Sequence, residues 1–182
     1  MIKLDINKED FETYITLKEF NVKYNTNIQD IDIKTLNLSG RCIRDEGLKD
    51  LIKIKFKGLN ELYLSENKIS DINILEKVKL KELKGLFLVR NNISDINVLE
   101  NVKFEKLEIL YLGGNKISDI NILEKVKFKE LKELGLDDNN ISDIKVLENV
   151  KFEKLEKLDL SDNNIKNKSI ISKLKIKNAI EL

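Results

Sequence analysis

The sequence predicts an α/β solenoid in which a curved parallel sheet lines the concave side and short 3₁₀ or α turns form the convex side. The main observation is a frame, L-x-x-L-x-L-x-x-N-x-I, that recurs at a fixed period. A fixed period of this kind is typical of stacked coils, because one coil cannot bury its apolar side alone and neighbouring coils share one core. The five evenly spaced copies start at Leu59, Leu83, Leu107, Leu131 and Leu155.

A looser copy of the frame precedes these five. It starts at Ile33, slightly farther from Leu59 than the regular period. Its connection to the next copy runs from Arg44 into a segment, 48–52, whose apolar residues have helical spacing. We therefore expect a helix in the first coil, where the later coils have shorter turns.

The centre of each frame is a predicted strand. Side chains alternate between the two faces of a strand. Leu110 and Leu112 are therefore predicted to point into the core, while Ile109, Tyr111 and Gly113 point outward. The outward residues of successive strands form one surface, which we call the concave face.

The turn after each strand carries an asparagine in register. An asparagine amide has both donors and an acceptor, so it can satisfy backbone groups that a buried turn would leave without partners. We interpret these residues as structural and not as catalytic amides. They are Asn67, Asn91, Asn115, Asn139 and Asn163.

The connection after each asparagine is predicted to open a short 3₁₀ or α turn. It reads Ile-Ser-Asp-Ile in four coils, and Ser and Asp are favoured where helical turns begin. These segments are 69–72, 93–96, 117–120 and 141–144. Apolar residues behind each turn, including Phe104, Phe128 and Phe152, are predicted to fill the core from the convex side.

The first segment of the chain, 1–32, does not follow the repeat. We predict that it is a helical cap over the core edge of the first coil, and that about six repeats occupy 33–182, the last of which could be incomplete. At the end of the chain, 179–182 would start a further strand and stop there. Two interpretations stay open from the sequence: the chain is a fragment, or a helix over 169–176 closes its last coil.

Two capping boxes compete for the start of the N-terminal helix. A box at 7–10 would give a helix with Val22 on its apolar side. A box at 16–19 would give a shorter helix that buries Phe20 and Tyr24. Either choice places a helical segment before the first repeat.

Composition argues against an enzyme. The chain has no histidine, so it lacks the usual general base, the Ser-His-Asp triad and the common zinc sites. No glycine-rich phosphate loop is present either. We predict no catalytic residues, no cofactor and no metal site. Cys42 is the single cysteine, which excludes an internal disulfide, and we interpret it as an incidental small residue.

Charge and hydropathy exclude other classes of partner. Lys and Arg total 33 against 32 Asp and Glu, a net charge of +1, which predicts neither nucleic-acid nor membrane binding. No apolar run is long enough to cross a bilayer, and no signal-peptide core follows Met1. We expect a cytoplasmic monomer.

A longer period lies on top of the single-coil one. The connection at 73–79 matches 121–127, whereas 98–102 matches 146–150, so the full repeating unit consists of two coils. This pattern indicates an internal duplication. Lysines that recur along the convex side are therefore interpreted as a solvated face and not as a selected basic patch; they are Lys79, Lys103, Lys127 and Lys151.

The concave face differs from coil to coil, and these differences are the candidate functional signal. Tyr63, Phe87 and Tyr111 occupy the same position in successive strands, which lie about 4.8 Å apart. Val89 and Ile109 extend this apolar group. Contiguous apolar exposure usually marks an interaction site, so we favour binding over simple stacking of the rings.

Acidic residues surround the aromatic group. They concentrate toward the C-terminal strands at Asp137, Asp138, Asp159 and Asp162, with Arg90 as the central exception. A basic partner would relieve their repulsion and be attracted to them. A calcium site is less favoured, because no loop has cation-site spacing. Nucleic-acid binding would need basic residues among the aromatics.

The predicted partner is therefore a protein with an apolar anchor and a basic rim. It is not a nucleic acid or a membrane. The predicted partner-binding residues are Tyr63, Phe87, Val89, Arg90, Ile109, Tyr111, Asp137 and Asp159.

From Leu59 to Ile165 the repeats resemble leucine-rich repeats of the SDS22-like and internalin-like class. The connection of that class reads N-x-I-x-D-I followed by an apolar x-x-L, and 91–99 has this pattern. The resemblance implies a solenoid that binds proteins through its concave face. SDS22-like members regulate a protein phosphatase, and internalin-like members bind host receptors. This chain has a longer repeat and lacks the internalins' proline, so no named partner is carried over.

Three hypotheses follow for function. The first is a protein-interaction module that uses the concave face. The second is a structural scaffold, either self-assembling or the repeat segment of a larger protein. The third is a phosphatase-regulating subunit of the SDS22-like kind.

Overall fold

A seven-stranded parallel sheet runs through the whole molecule, and its strands follow one another in sequence order. The computed structural model describes residues 15–174 and 180–181. The strands are β1 Thr35–Asn37, β2 Glu61–Tyr63, β3 Gly85–Phe87, β4 Ile109–Tyr111, β5 Glu133–Gly135, β6 Lys157–Asp159 and β7 Ile180–Glu181. The helices are α1 Leu17–Tyr24 and α2 Arg44–Leu51. The 3₁₀ turns are Asn73–Lys77, Asn97–Glu100, Asn121–Glu124, Lys145–Glu148 and Lys168–Lys173. The predicted solenoid is confirmed.

Neighbouring strands pair with a register that repeats the frame. The central residue of each strand pairs with the central residue of the next, as Leu86 does with Leu110 and Leu110 with Leu134. All three side chains are buried. The period-2 alternation of each strand therefore places one leucine of every coil in a continuous core, as predicted.

The asparagine ladder joins each coil to the coil before it. The Asn91 side-chain oxygen accepts hydrogen bonds from the backbone N–H groups of Asn67 and Ile69, at 3.1 and 2.9 Å. Its amide nitrogen donates to the carbonyl oxygens of Leu64 and Leu88, both at 3.0 Å. Asn115, Asn139 and Asn163 likewise donate to a carbonyl oxygen of the preceding coil, and each accepts from the backbone N–H of one isoleucine of that coil. The structural interpretation of these residues is confirmed.

The predicted turns on the convex side are short 3₁₀ segments in four coils, each opened by an aspartate. Asp95 accepts a hydrogen bond from the backbone N–H of Asn97 at 2.8 Å, and Asp119 does the same for Asn121. The first coil instead has helix α2, as its apolar spacing predicted. Behind the turns, Phe104 and Phe128 are buried and Phe152 is only partly buried.

Helix α1 begins at the second of the two capping boxes. Thr16 accepts from the backbone N–H of Glu19, and the Glu19 carboxylate accepts from the backbone N–H of Thr16 at 2.8 Å. Phe20 and Tyr24 are buried, whereas Val22 is 79% exposed. This burial fits the shorter helix; the competing box at 7–10 lies outside the described residues.

α1 is fixed to the first coil through helix α2. The Tyr24 hydroxyl donates to the Asp50 carboxylate at 2.7 Å, and the Lys23 ammonium donates to the same group at 2.9 Å. Asp50 is itself only 8% exposed, and a buried charge of this kind needs such partners. The domain division at residues 32 and 33 stays a prediction.

The described C-terminal part ends with the 3₁₀ turn Lys168–Lys173 and then β7, which pairs with β6. Thus 3₁₀ structure and a further strand both follow the sixth repeat. Neither of the two α-helices in the described ranges has the length and apolar composition that crossing a membrane requires.

Candidate functional site

The aromatic group at the centre of the concave face is a continuous column of three rings. Tyr63, Phe87 and Tyr111 are paired in register on β2, β3 and β4. The rings of Tyr63 and Phe87 are parallel, with an interplanar angle of 1° and centroids 4.1 Å apart. Phe87 meets Tyr111 edge to face at 5.5 Å. Both geometries are favourable for aromatic pairs.

The rings are less open than the sequence analysis expected. Tyr63, Phe87 and Tyr111 are each half-buried, as are Ile109 and Val89. Among the described residues, Val22 is the only large apolar side chain that is exposed. The stacking itself explains the difference, because each ring covers part of its neighbour. We call this column of half-buried, mutually packed rings the aromatic platform.

Two glycines on the concave face make room for the rings. A Cβ at Gly85 would lie 2.8 Å from the Phe87 ring, and a Cβ at Gly135 would lie 3.1 Å from the Tyr111 ring. Because both positions are outward-facing, a larger residue would displace the platform. Alternation of large and small residues therefore shapes this surface.

Tyr111 connects the platform to the acidic end of the face. Its hydroxyl donates a hydrogen bond to the Glu133 carboxylate on β5. Burial raises the pKa of Tyr111 to about 12, with further contributions from Glu133, Asp159 and Asp137. Tyr63 makes a similar but longer bond, 3.2 Å, to Glu61 on its own strand. Both hydroxyls are thus fixed by carboxylates.

Asp137 lies beside the aromatic platform, in the coil that follows Tyr111. A Cβ on Gly113 would clash with the Asp137 carboxylate, so that glycine provides the space the carboxylate occupies. Burial raises the pKa of Asp137, and the charges of Asp159, Asp138 and Asp162 raise it further. These carboxylates repel one another. They are arranged to attract positive charge.

Asp159 is the member of the predicted site farthest along the sheet. It pairs with Gly135 of β5, two strands from Tyr111. Its carboxylate accepts hydrogen bonds from the Ser161 backbone N–H and hydroxyl, at 3.1 and 2.6 Å. It remains half-buried on the concave side, where it continues the acidic end that Asp137 begins.

Arg90 stands at the rim of the concave face, in the turn after β3. It is exposed, and its guanidinium is 3.8 Å from the Glu66 carboxylate of the preceding coil. An exposed ion pair at this distance fixes the side chain weakly. With Val89, Gly114, Asp138 and Asp162, these two side chains line an open depression of about 500 Å³.

The sequence analysis missed a feature of this rim. The residue just before the turn asparagine, or before Arg41 in the first coil, has a positive φ in all six coils, and in two of them it is a glycine. The signal was available, because Gly40 and Gly114 occupy the same frame position. The other four carry charged side chains at φ between 49° and 60°: Glu66, Arg90, Asp138 and Asp162. The left-handed backbone aims these charges along the rim.

The arrangement has the chemistry of a recognition surface. It combines the aromatic platform with carboxylates at one end and Arg90 at the rim. Within residues 15–174 and 180–181, no group of three or more Asp, Glu or Cys side chains is arranged to hold a metal ion. The acidic residues therefore contribute charge to the surface.

Comparison with known proteins identifies the repeats. The family model for two copies of the leucine-rich repeat matches residues 81–125, and a single-copy leucine-rich repeat model matches residues 153–172. Comparison with curated protein sequences gave no match.

Solved structures of bacterial proteins have the same fold. An internalin of Listeria monocytogenes is 30% identical over 74% of this chain, with a TM-score of 0.58. Internalin C2 of the same organism is 22% identical over 86% of this chain and 87% of its own, with a TM-score of 0.53. A leucine-rich repeat protein of Leptospira interrogans is 24% identical over 73% of this chain and 39% of its own, with a TM-score of 0.56.

The first of these internalins is much longer than the matched region, since this chain spans 36% of its length. The likeness therefore concerns the repeats. The frame, the parallel sheet, the asparagine ladder and the family models agree. The chain contains leucine-rich repeats, stacked in the solenoid fold of such proteins.

Proposed function

We propose that this chain binds a partner protein through its concave face. The observation that carries the proposal is the platform of Tyr63, Phe87 and Tyr111, which lies centrally on that face and ends at a group of carboxylates. Aromatic residues near the centre of a surface, with a charged rim, have the composition of interaction hot spots.

The half-burial of the rings limits the affinity they can provide. If about 75 Å² of each ring is covered by a partner, ~25 cal/mol per Å² gives roughly 5–6 kcal/mol for the three rings. Association costs at least about 4 kcal/mol. The platform alone therefore supports weak binding, and the partner must also engage the rim.

The order of features across the sheet specifies the partner further. Phe87 is on β3 and Asp159 is on β6, three strand spacings apart, which is about 14 Å. A fitting partner presents an apolar group and a basic group at about this separation. The acidic end would raise the association rate and favour basic partners. Arg90 adds a position where an acidic group of the partner could bind.

The test is affinity capture from a cell lysate, with the captured proteins identified by mass spectrometry. The natural chain is compared with Tyr63→Ala, Phe87→Ala, Tyr111→Ala, whose folding is checked by circular dichroism. The matched control replaces three convex lysines, Lys79→Ala, Lys103→Ala, Lys127→Ala. We expect a protein that the natural chain and the convex variant capture and that the aromatic variant loses.

A rim variant separates the two parts of the surface. Asp137→Asn with Asp159→Asn keeps the platform and removes two charges. We expect weaker capture by this variant and a smaller dependence of capture on salt, because screening acts on the charges alone. Captured proteins that are identical for all variants would contradict binding through the concave face.

A second candidate function is a structural scaffold that assembles with itself. The half-buried rings of Tyr63, Phe87 and Tyr111 favour it, because a second copy of the chain could cover the apolar area that they leave accessible. Self-association that increases with concentration, and that the triple aromatic substitution abolishes, would support this candidate. A sedimentation series over a wide concentration range measures it.

Three further predictions from the sequence concern the oligomeric state, the location in the cell and the regulation of a phosphatase. The monomeric state is tested by the same sedimentation series. The cytoplasmic location and the SDS22-like regulation of a phosphatase stay predictions, and co-purification of a phosphatase with the chain would support the latter.

A further inference from the structure

Charges next to each strand alternate from coil to coil. Just before β3 and β5, residues 81–84 and 129–132 read Lys-Glu-Leu-Lys. Just before β4 and β6, residues 105–108 and 153–156 read Glu-Lys-Leu-Glu. We call the first kind a type A coil and the second a type B coil. The chain therefore stacks four successive coils in the order A, B, A, B.

One column of these charges is joined by close ion pairs. It consists of Glu82, Lys106, Glu130 and Lys154, in which the sign changes at every step. Lys106 Nζ is 2.7 Å from Glu82 Oε2, and Lys154 Nζ is 2.5 Å from Glu130 Oε2. Each pair links a type A coil to the type B coil that follows it.

A second column, closer to the strands, has the opposite signs. It consists of Lys84, Glu108, Lys132 and Glu156. The two oxygens of Glu108 contact lysines of both neighbouring coils, Lys84 at 3.2 Å and Lys132 at 2.6 Å. The hydrogen bonds from Lys132 and Lys84 lower the pKa of Glu108, and Glu108 together with Glu156 raises the pKa of Lys132. The field of opposite charges thus extends across all four coils.

The alternation depends on the two-coil period. If every coil had the same sequence, each column would hold a single sign, and like charges would face one another at every junction. Exposed ion pairs contribute little stability. The reversal of sign, however, sets the difference between correct and incorrect neighbours, because like charges destabilise by amounts similar to those by which opposite charges stabilise.

The core makes this distinction only weakly. In these four coils the frame leucines and the turn asparagine, such as Leu110 and Asn115, are the same, and a buried position of the convex side alternates between isoleucine and valine, as in Ile122 against Val98. A coil stacked on the next coil but one, with a coil looped out between them, would bury an equivalent core. Such a slipped arrangement places type A on type A, with like charges in every column.

We propose that the alternating charges help to specify the stacking order of the coils, because they favour a type B coil over a second type A coil as the neighbour of a type A coil. This inference is independent of the concave face and of any partner. The two columns of charges thus make adjacent coils differ, although their cores are nearly the same.

The experiment inverts charges without changing the composition. Glu82→Lys with Lys84→Glu converts one type A coil to type B in both columns, so that it meets a type B coil at the next junction. The preceding coil has no charge at these positions, Gly58 and Asn60. The charge of Lys34 acts on Glu82, and because the control below also carries Glu82→Lys, this contribution is common to both variants. We expect the midpoint of thermal unfolding to fall by about 2–4 °C at low salt.

The matched control inverts the same two positions in all four coils. It has eight substitutions, and its coils read B, A, B, A, so that opposite charges face one another again. We expect its midpoint to return to within about 1 °C of the natural chain, in keeping with this scale of shifts. In about 1 M salt, where the screening length is about 3 Å, all three proteins should unfold alike.

The two variants separate the explanations cleanly. Recovery by the eight-substitution variant supports the proposal, because only the order of signs distinguishes it from the single-coil variant. Two results would overturn the proposal. One is a midpoint of thermal unfolding for the eight-substitution variant that is as low as, or lower than, that of the two-substitution variant. The other is an unchanged midpoint for the two-substitution variant at low salt.

Discussion

The Tyr111 hydroxyl is hydrogen-bonded to the Glu133 carboxylate of the neighbouring strand, so the last ring of the platform is tied to the acidic end of the concave face. This contact makes the geometry of the site measurable without a partner. Burial and Glu133 raise the pKa of Tyr111 to about 12, so its hydroxyl should ionise at a higher pH than that of an ordinary tyrosine.

We predict that Glu133→Gln lowers the pKa of Tyr111, because the substitution removes the nearest negative charge. The absorbance of tyrosinate during an alkaline titration measures it. The component that disappears in Tyr111→Phe identifies the residue. Glu61→Gln, which removes the partner of Tyr63, is the control and should leave Tyr111 unchanged. An unaltered Tyr111 titration in Glu133→Gln would show that the two side chains are not in contact.

Acid should weaken the attachment of α1. Burial raises the pKa of Asp50, but the hydrogen bonds from Lys23 and Tyr24 outweigh it, and the pKa lies below its usual value. A carboxyl whose pKa is lower in the folded state contributes stability above its unfolded pKa, and this contribution is lost as the pH falls through the folded pKa. We predict that stability declines below about pH 4, the unfolded value for Asp.

The variant that isolates this contact is Tyr24→Phe, which removes one hydrogen bond to a buried carboxylate. We expect a loss of about 1–3 kcal/mol in the free energy of unfolding near neutral pH, and a shallower decline in acid. Chemical denaturation at several pH values measures both. Val22→Ala, on the exposed side of the same helix, should change neither. Equal effects of the two substitutions would count against the contact.

Gly114 and Arg90 occupy the same left-handed position in successive coils, so substitutions there should affect stability differently. Gly114 has φ +66°, and a Cβ there would lie 2.9 Å from the Arg90 side chain and 3.3 Å from its backbone. Gly114→Ala should therefore destabilise by about 1–2 kcal/mol. Arg90→Gly relieves a non-glycine residue at φ +53°, and the gain is reduced by the greater freedom of glycine in the unfolded chain.

We accordingly expect Arg90→Gly to be neutral or stabilising by less than about 1 kcal/mol. Denaturant midpoints measured side by side decide the matter. Destabilisation by Arg90→Gly of the same size as that by Gly114→Ala would indicate that the Arg90 side chain, and not its backbone, matters for stability.

Removal of one whole coil gives a further prediction from the two columns of alternating charges. Deletion of residues 105–128 removes one type B coil and brings the two type A coils together. In this shortened chain, Glu82→Lys with Lys84→Glu should raise the midpoint of thermal unfolding, whereas in the full chain the same pair lowers it. A change of sign arises only if the neighbouring coil determines the effect. A shift in the same direction in both chains would contradict the prediction.

Much of the fold could be predicted because local and repeat signals agree. The frame placed Leu110 and its equivalents in the core, and the structure has them fully buried. The asparagines and the Ser-Asp turns were likewise predictable, because their hydrogen-bonding groups fit one location in a coil. The start of α1 was ambiguous from the sequence, since two capping boxes lie close together. The structure has the hydrogen bonds of the second box between Thr16 and Glu19, and it buries Phe20 and Tyr24 as the shorter helix requires.

The concave face was harder to predict. Alternation identifies which side chains point outward, but not how they lie on the surface. Phe87 lies over Gly85 and against Tyr63, so rings expected to be open are half-buried. The ion-pair columns were also missed, although the two-coil period was visible, because the pairing of Glu82 with Lys106 depends on the register of adjacent coils.

The asparagine ladder gives the solenoid a direction. The side-chain oxygen of each turn asparagine accepts from the backbone of the coil before it, as Asn115 does from Ile93 and Asn139 from Ile117. Until the next coil is in place, the turn N–H of a coil has only water as its partner, and the next coil both buries and pairs it. We therefore expect that, during synthesis, each coil that leaves the ribosome completes its predecessor and still lacks its own partner. The most recently made coil would then be the least stable, with order advancing one coil behind translation.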